Sequence, residues 1–298
     1  MKQTYYFLGL EDEHMVALAQ ILNDMEYQVV GWDYLLSMSM RKLLEGKGIK
    51  VETFRLDEIK HGDSIIVLEA YEQRAKELLS PLNKEVKWYN YHEFMSQWIP
   101  LYTSISIAGL QGKKTLARLM LQVLESFVPI SYLLSESLAK GSKNCTYFIF
   151  EGCEEPKYIE AYQPDYLVIT SMDGSQNSLF ENKQAIKQTY LQMVKQVKKR
   201  VVACGDDTNT HVLLTAGPVL FYGFGLNNDL IAKNVVEAEG RLFFDVYLDK
   251  QFLDRFELGW CDKQAVLHVL AMIGIALLEG LDLVKLKGSI RSFSTIHV

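Results

Sequence analysis

Residues 103–118 read TSISIAGLQGKKTLAR, and LMLQVLESF follows. A short apolar run leads into a glycine-bracketed loop, and the loop leads into a helix-spaced segment. Strand, glycine loop, helix is the setting of a phosphate-binding loop. Gly109 and Gly112 would let backbone N–H groups approach a phosphate. The following helix N-terminus favours negative charge. Lys113 is placed to reach terminal phosphates. A working loop carries Ser or Thr directly after its lysine, to hold magnesium, and here Lys114 stands in that place. Thr115 comes one residue late, a rotation of about 100° around a helix. Gly109, Gly112, Lys113, Lys114 and Thr115 are thus the candidate nucleotide-binding residues. On spacing alone, a purely structural glycine turn explains the stretch equally well.

The segments on either side have the rhythm of an α/β protein. TYYFLGL is a strand ending at Gly9, and Met15, Leu18, Ala19 and Leu22 follow at helical spacing. YQVVGWD is a second strand, closing on Gly31 and Asp33. Strand, helix, strand within about 30 residues is a βαβ unit. KGIKVETF, DSIIVLEA and VKWYNY continue it, so residues 1–98 are expected to form a Rossmann-like, doubly wound domain. Pro100 and TSISIAGL open a second domain over 99–298. CTYFIFEG, DYLVITSM and RVVACGDD are its further strands, ending in small or polar residues where α/β sheets carry ligand chemistry. PVLFYGFG reads as another strand, RLFFDVYLDKQFLDRFEL as a hairpin turning at Asp249-Lys250, and 263–280 as a buried helix.

Composition removes several classes of function. The 298 residues are about half apolar and carry a net charge of −6, with no basic patch interleaved with aromatics. Nucleic acid is therefore not an expected partner. KQVKKR, at 195–200, reads as a solvated helix end. The opening lacks a signal peptide's apolar core, and AVLHVLAMIGIALLEGL falls short of a membrane span. The four cysteines are scattered, as in a reducing cytoplasm. Cys153 lies beside acids that would raise its pKa, which argues against a nucleophilic thiol. The six histidines show no metal spacing; His14 is expected at the surface and His268 in the core. The aromatic stretch 87–99 fits a sheet edge and packing, or alternatively a partner surface.

The order of these segments resembles the Mur ligases, in particular the UDP-N-acetylmuramate–L-alanine ligase branch. YYFLGLEDEHMVALAQILNDMEYQVVGWD is similar to that branch's glycine-rich opening. IAGLQGKKT stands where the family has Ala-Gly-Thr-His-Gly-Lys-Thr-Thr. YFIFEGCEEPKYIEAYQPDYLVITSMD is similar to Phe-x-x-Glu-Ala-Cys-Glu-Tyr followed by Pro-Asp-Tyr-x-x-x-Thr-Asn-x-Asp. ACGDD, VLFYGFGLNNDLIAKNV, FFDVYLDKQFLDRFEL and LHVLAMIGIALLEGLD keep the same order and spacing, so the resemblance covers nearly the whole chain.

The resemblance implies an N-terminal UDP-sugar domain and a P-loop-type central domain that uses ATP and magnesium. It also implies that most of the apparatus is altered. Of the opening glycines only Gly9 remains, and Glu11-Asp12-Glu13 would repel a uridine diphosphate. Each like-charge pair at roughly 4 Å costs about 1 kcal/mol even in water. The bland reading of those acids is a helix start that complements the dipole. Glu151 stands at the family's magnesium-binding glutamate and Glu154 at its second acidic position, so both are candidate metal ligands. Lys113 and Glu151 are the residual catalytic candidates. Glu155-Pro156 replaces Tyr-Arg, Gln176 replaces a histidine of the metal region, and 262–268 lacks the family's His and both Asn. The family's C-terminal domain would begin where this chain ends. Two readings follow. One is a non-catalytic binding or scaffolding homologue in the cytoplasm, partnered by itself or by a cell-wall enzyme. The other is an ATP-dependent carboxylate–amine ligase with altered substrate, completed by a third domain from another chain.

Overall fold

The computed structural model describes residues 3–32, 36–53, 55–80, 86–135, 137–173, 183–259 and 261–293. Asp33 and Gln176 lie outside them. In chain order the elements are β1 (Thr4–Leu8), α1 (Glu13–Asp24), β2 (Gln28–Trp32), α2 (Met38–Gly46), β3 (Lys50–Glu52), β4 (Ser64–Val67), α3 (Glu72–Leu79), β5 (Lys87–Asn90) and α4 (Tyr91–Trp98). β6 (Thr103–Ala108), α5 (Lys113–Glu125), β7 (Ile130–Ser135), β8 (Leu138–Lys140), β9 (Tyr147–Glu151), β10 (Tyr166–Ile169), α6 (Lys183–Lys195) and β11 (Arg200–Cys204) follow. The chain continues with β12 (Val219–Gly223), β13 (Leu230–Ala238), β14 (Arg241–Leu248), β15 (Gln251–Leu258), α7 (Lys263–Leu278) and α8 (Leu283–Ser292). This is the α/β class with parallel sheets that the alternating apolar runs predict.

Two compact units result, and the first is discontinuous: it takes residues 1–102 and 129–150. A single boundary near residue 98 does not describe that division. Its main sheet is parallel throughout, in the order β3-β2-β1-β4-β5. Tyr6, Val30, Trp32, Ile65, Val67, Ala75 and Leu79 form a core on one face. Helix α1 is buried on every side from Met15 to Leu22, Gln20 included, rather than only along an apolar stripe. It packs on β7 and β8 as well as on β2. The backbones of α1 and residue 141 touch, since a Cβ on Gly141 would lie 2.1 Å from the Ile21 carbonyl oxygen. The aromatic stretch 87–99 forms the sheet-edge strand β5 and then α4, opened by a reciprocal Asn90–Glu93 cap. Tyr91, Phe94 and Trp98 are buried within this unit.

The second unit takes residues 103–128 and 151–298. Its strands run β15-β14-β13-β12-β11-β10-β6. From β6 to β13 neighbours are parallel, and β13, β14 and β15 are antiparallel. The period of two sorts side chains between faces. Val201 and Ala203 pack with Tyr190 and Met193 of α6. Val202 faces Gly274 of α7. Asp249 and Lys250, with φ of 48° and 68°, form the turn between β14 and β15. Two left-handed residues in a two-residue loop make the hairpin turn that suits strand twist. No helix among the described residues is long and apolar enough to cross a membrane.

Candidate functional site

Strand β6 ends at Ala108, and the glycine loop turns from it into α5. Gly109 has a φ of +124° and Gly112 of +80°, both on the side of φ that favours glycine. The loop is pinned from beneath by the end of β10. The Leu110 N–H donates to the Ser171 carbonyl at 3.0 Å, and the Thr170 hydroxyl donates to the Gln111 carbonyl at 2.5 Å. Helix α5 starts without a side-chain cap at Gly112. Its first N–H groups therefore have no intrahelical acceptor. This is the strand–loop–helix geometry of an anion cradle.

The charges in that cradle are already matched to one another. The Lys113 ammonium lies 2.5 Å from a Glu151 carboxylate oxygen and 3.7 Å from Glu154. The Glu154 side chain is only 11% exposed. One of its oxygens accepts the Gly109 N–H at 3.2 Å and the Tyr190 hydroxyl at 2.8 Å. Burial first, and Glu154 second, push the Tyr190 phenol far above its ordinary value, so it stays a donor. Gly109, Gly112, Lys113, Glu151 and Glu154 thus come together as the residue types suggested. Lys114 is exposed and Thr115 half-buried, and neither makes a side-chain hydrogen bond or ion pair among the described residues.

These residues do not fit a magnesium ion. Such an ion needs oxygen ligands in near-octahedral array. Here an ammonium occupies the space between the two carboxylates, and a second lysine replaces the liganding hydroxyl. Among the described residues no three His, Cys, Asp or Glu side chains are grouped closely enough to hold a metal.

His268 departs from the core position expected for it. It is partly buried on α7, and its ring stands over the glycine loop. A Cβ on Gly112 would lie 2.6 Å from the imidazole Nε2. Burial pulls its pKa below the ordinary histidine value, against the pull of Asp262, so the ring is neutral at pH 7. Its Nδ1 is buried without a hydrogen-bond partner among the described residues. The signal available in the sequence was a lone His in an apolar helix, which cannot say what that helix faces. His14 is exposed, as expected. The Cys153 thiol is pushed up to about 11, but burial is the larger cause and the neighbouring Glu155 and Glu154 add to it.

Asp207 anchors the floor of the loop. It accepts from the Met172 N–H, the Ser171 hydroxyl and both the backbone and side chain of Asn209, at 2.7–3.1 Å. Burial alone would raise its pKa, but these four donors outweigh it and hold the carboxyl below the usual range. A depressed carboxyl adds stability above its unfolded pKa and loses it as the pH falls through the folded value. Asp207→Asn is therefore expected to cost stability at pH 7 and much less near pH 3, measured as urea midpoints across that range.

In the first unit, the backbone at the C-terminal end of β1 is closely packed at Gly9. Gly9 has a φ of +99°, and a Cβ there would meet the Leu68 Cβ at 2.5 Å and the Tyr71 ring at 2.9 Å. Leu10 is fully buried against Gly31. Asp12 caps α1 by accepting the His14 and Met15 N–H groups, and Glu13 lies in the first turn. The acids at 11–13 thus include a helix cap, the bland reading given above.

The fold is similar to that of several solved Mur-type ligases. No protein-family model matches the sequence. In three dimensions the chain is similar to the UDP-N-acetylmuramate:L-alanyl-gamma-D-glutamyl-meso-diaminopimelate ligase of Neisseria meningitides, with a TM-score of 0.76, 20% identity and 99% of each chain covered. It is also similar to the UDP-N-acetylmuramate-alanine ligase of Thermotoga maritima, with a TM-score of 0.71 and 17% identity over 98% of this chain and 69% of that one. The pseudomurein peptide ligase type C of Methanothermus fervidus has a TM-score of 0.67 and 15% identity, over 99% and 71% of the two chains. At these identities the likeness establishes the fold.

Proposed function

We propose that this chain is a non-catalytic relative of the UDP-N-acetylmuramate–L-alanine ligase branch. It acts as a binding or scaffolding protein linked to cell-wall synthesis, with itself or a cell-wall enzyme as partner. One observation carries this reading: the Lys113 ammonium is seated on Glu151 and beside Glu154. The cation that should meet phosphate is held by a carboxylate that should meet magnesium, and the two carboxylates leave the group with a net negative charge that disfavours a phosphate. Lys114 in place of the hydroxyl, and the acids at 11–13 that start α1, point the same way.

A second reading keeps weight because α5 begins uncapped at a glycine loop. On that reading Gly109, Gly112, Lys113, Lys114 and Thr115 hold ATP, Glu151 and Glu154 hold magnesium, and the chain is an amide ligase with altered substrate. Calorimetry separates the two. Titration with Mg-ATP and with UDP-N-acetylmuramate is expected to give no saturable heat. Magnesium-dependent ATP binding that disappears in Lys113→Ala would overturn the first reading in favour of the second.

A further inference from the structure

We propose that the first unit carries a binding site for a free α-amino acid with an apolar side chain, at the end of its sheet opposite Gly9. A cavity of about 200 Å³ lies there, lined by Gln3, Met25, Glu26, Tyr27, Tyr102 and Lys143. Gln3 immediately precedes β1 and Tyr27 immediately precedes β2. The cavity thus sits at the N-terminal ends of parallel strands, away from the crevice where this fold class is expected to hold a nucleotide sugar. At roughly 10–15 Å³ per water-sized group, it has room for on the order of 13–20 such groups, enough for an amino acid of about a dozen non-hydrogen atoms.

The walls divide by chemistry. Tyr27, Tyr102 and buried Met25 supply an apolar side. Both tyrosine rings pack on Trp98, at 6.4 and 5.7 Å between centroids. The Trp98 indole N–H is buried and has no hydrogen-bond partner among the described residues. Among the described residues the Tyr102 hydroxyl reaches only the Met25 sulfur, at 4.0 Å, and a thioether is a weak acceptor. Gln3 gives its amide N–H to Ser64 at 3.2 Å, and its side-chain oxygen has no hydrogen-bond partner among the described residues. The rim carries both signs of charge, with the Lys143 ammonium 2.8 Å from Glu26 and both side chains mostly exposed. Glu26 has a φ of 67° at the end of α1. Its N–H donates to the Asn23 carbonyl and the Tyr27 N–H to that of Leu22. Glycine is usual at such a helix end, so a glutamate there carries backbone strain.

That set of groups selects a zwitterion. A lone anion would face Glu26, and a lone cation would face Lys143. A purely apolar molecule would leave the Gln3 oxygen and the Tyr102 hydroxyl unmatched. An α-amino acid offers its ammonium to Glu26 and the Gln3 oxygen, its carboxylate to Lys143 and the Tyr102 hydroxyl, and its side chain to the two rings. Separating an exposed ion pair costs little, and charge-assisted bonds to the ligand replace it.

The test is titration of the full chain with L-phenylalanine, followed by calorimetry and tryptophan fluorescence. Saturable one-to-one binding is expected, with a dissociation constant on the order of a millimolar for a ligand of this size. L-Phenylalanine amide and N-acetyl-L-phenylalanine each lack one charge and are expected to bind at least tenfold more weakly. Glu26→Gln and Lys143→Met are each expected to weaken L-phenylalanine at least tenfold, with unchanged circular dichroism because both side chains are exposed. Absence of saturation into the tens of millimolar would overturn the assignment. So would equal affinity for the amide, or binding that survives in the double variant. The cavity and the Lys113 loop lie in different units, so either proposal can fail without the other.

Discussion

Alanine at position 109 is expected to lower the stability of the second unit by about 4 kcal/mol, at the upper end of single substitutions. Two independent costs add. The φ of +124° is one that alanine avoids. The new methyl group would also stand 2.2 Å from the Thr170 hydroxyl oxygen and 2.9 Å from the Thr170 backbone nitrogen. The hydroxyl is held by the Gln111 carbonyl, and the nitrogen donates to Ala108, so neither can yield without unpairing β6 from β10. Gly112→Ala is the internal control. Its methyl would meet the His268 ring, so His268→Ala should relieve that contact but neither the backbone strain at a φ of +80° nor any of the loss at 109. Urea denaturation followed by circular dichroism reads both. A Gly109→Ala midpoint close to wild type would show that the loop is not pinned as described.

Lys113→Met is expected to destabilise the same unit by about 2 kcal/mol. The figure is kept low because the Lys113 side chain is 24% exposed and that of Glu151 42% exposed, and water screens such pairs. The loss arises at Glu154, whose carboxylate would keep only the Gly109 and Tyr190 donors. Adding Glu154→Gln to Lys113→Met should therefore restore part of the loss, while Glu151→Gln alone should cost little. A lysine waiting for a ligand behaves in the opposite way, because its removal relieves an uncompensated charge. A stable Lys113→Met variant would thus return the loop to the ligase reading.

Much of this fold was legible because its strands are buried on both faces and read as apolar runs. TYYFL, SIIV, TSISIA, YFIFE and YLVI all became strands near their expected positions. The turn at Asp249-Lys250 was legible from its break in alternation. β7 and β8 were not, since ISYLLS shows no clean alternation and LAK is only three residues long. Their grouping with α1 is long-range, and the all-round burial of α1 shows only when they are present. At the candidate site, the glycines and charged residues were readable from spacing. The pairing of Lys113 with Glu151 was not, because it depends on β9 ending beside the start of α5. The position of His268 was likewise hidden, since it depends on the packing of α7 over α5.

The two-part make-up of the first unit has a consequence for how the chain is made. When residue 102 leaves the ribosome, α1 has one side still facing water, and the strands that will cover it have not been synthesised. β6 and α5, which belong elsewhere, emerge before them. Neither unit can close until the polypeptide has passed residue 150, so maturation is interleaved rather than sequential. A nascent chain stalled in the early hundreds presents the sticky flank of α1, the stage at which a chaperone would have most to hold.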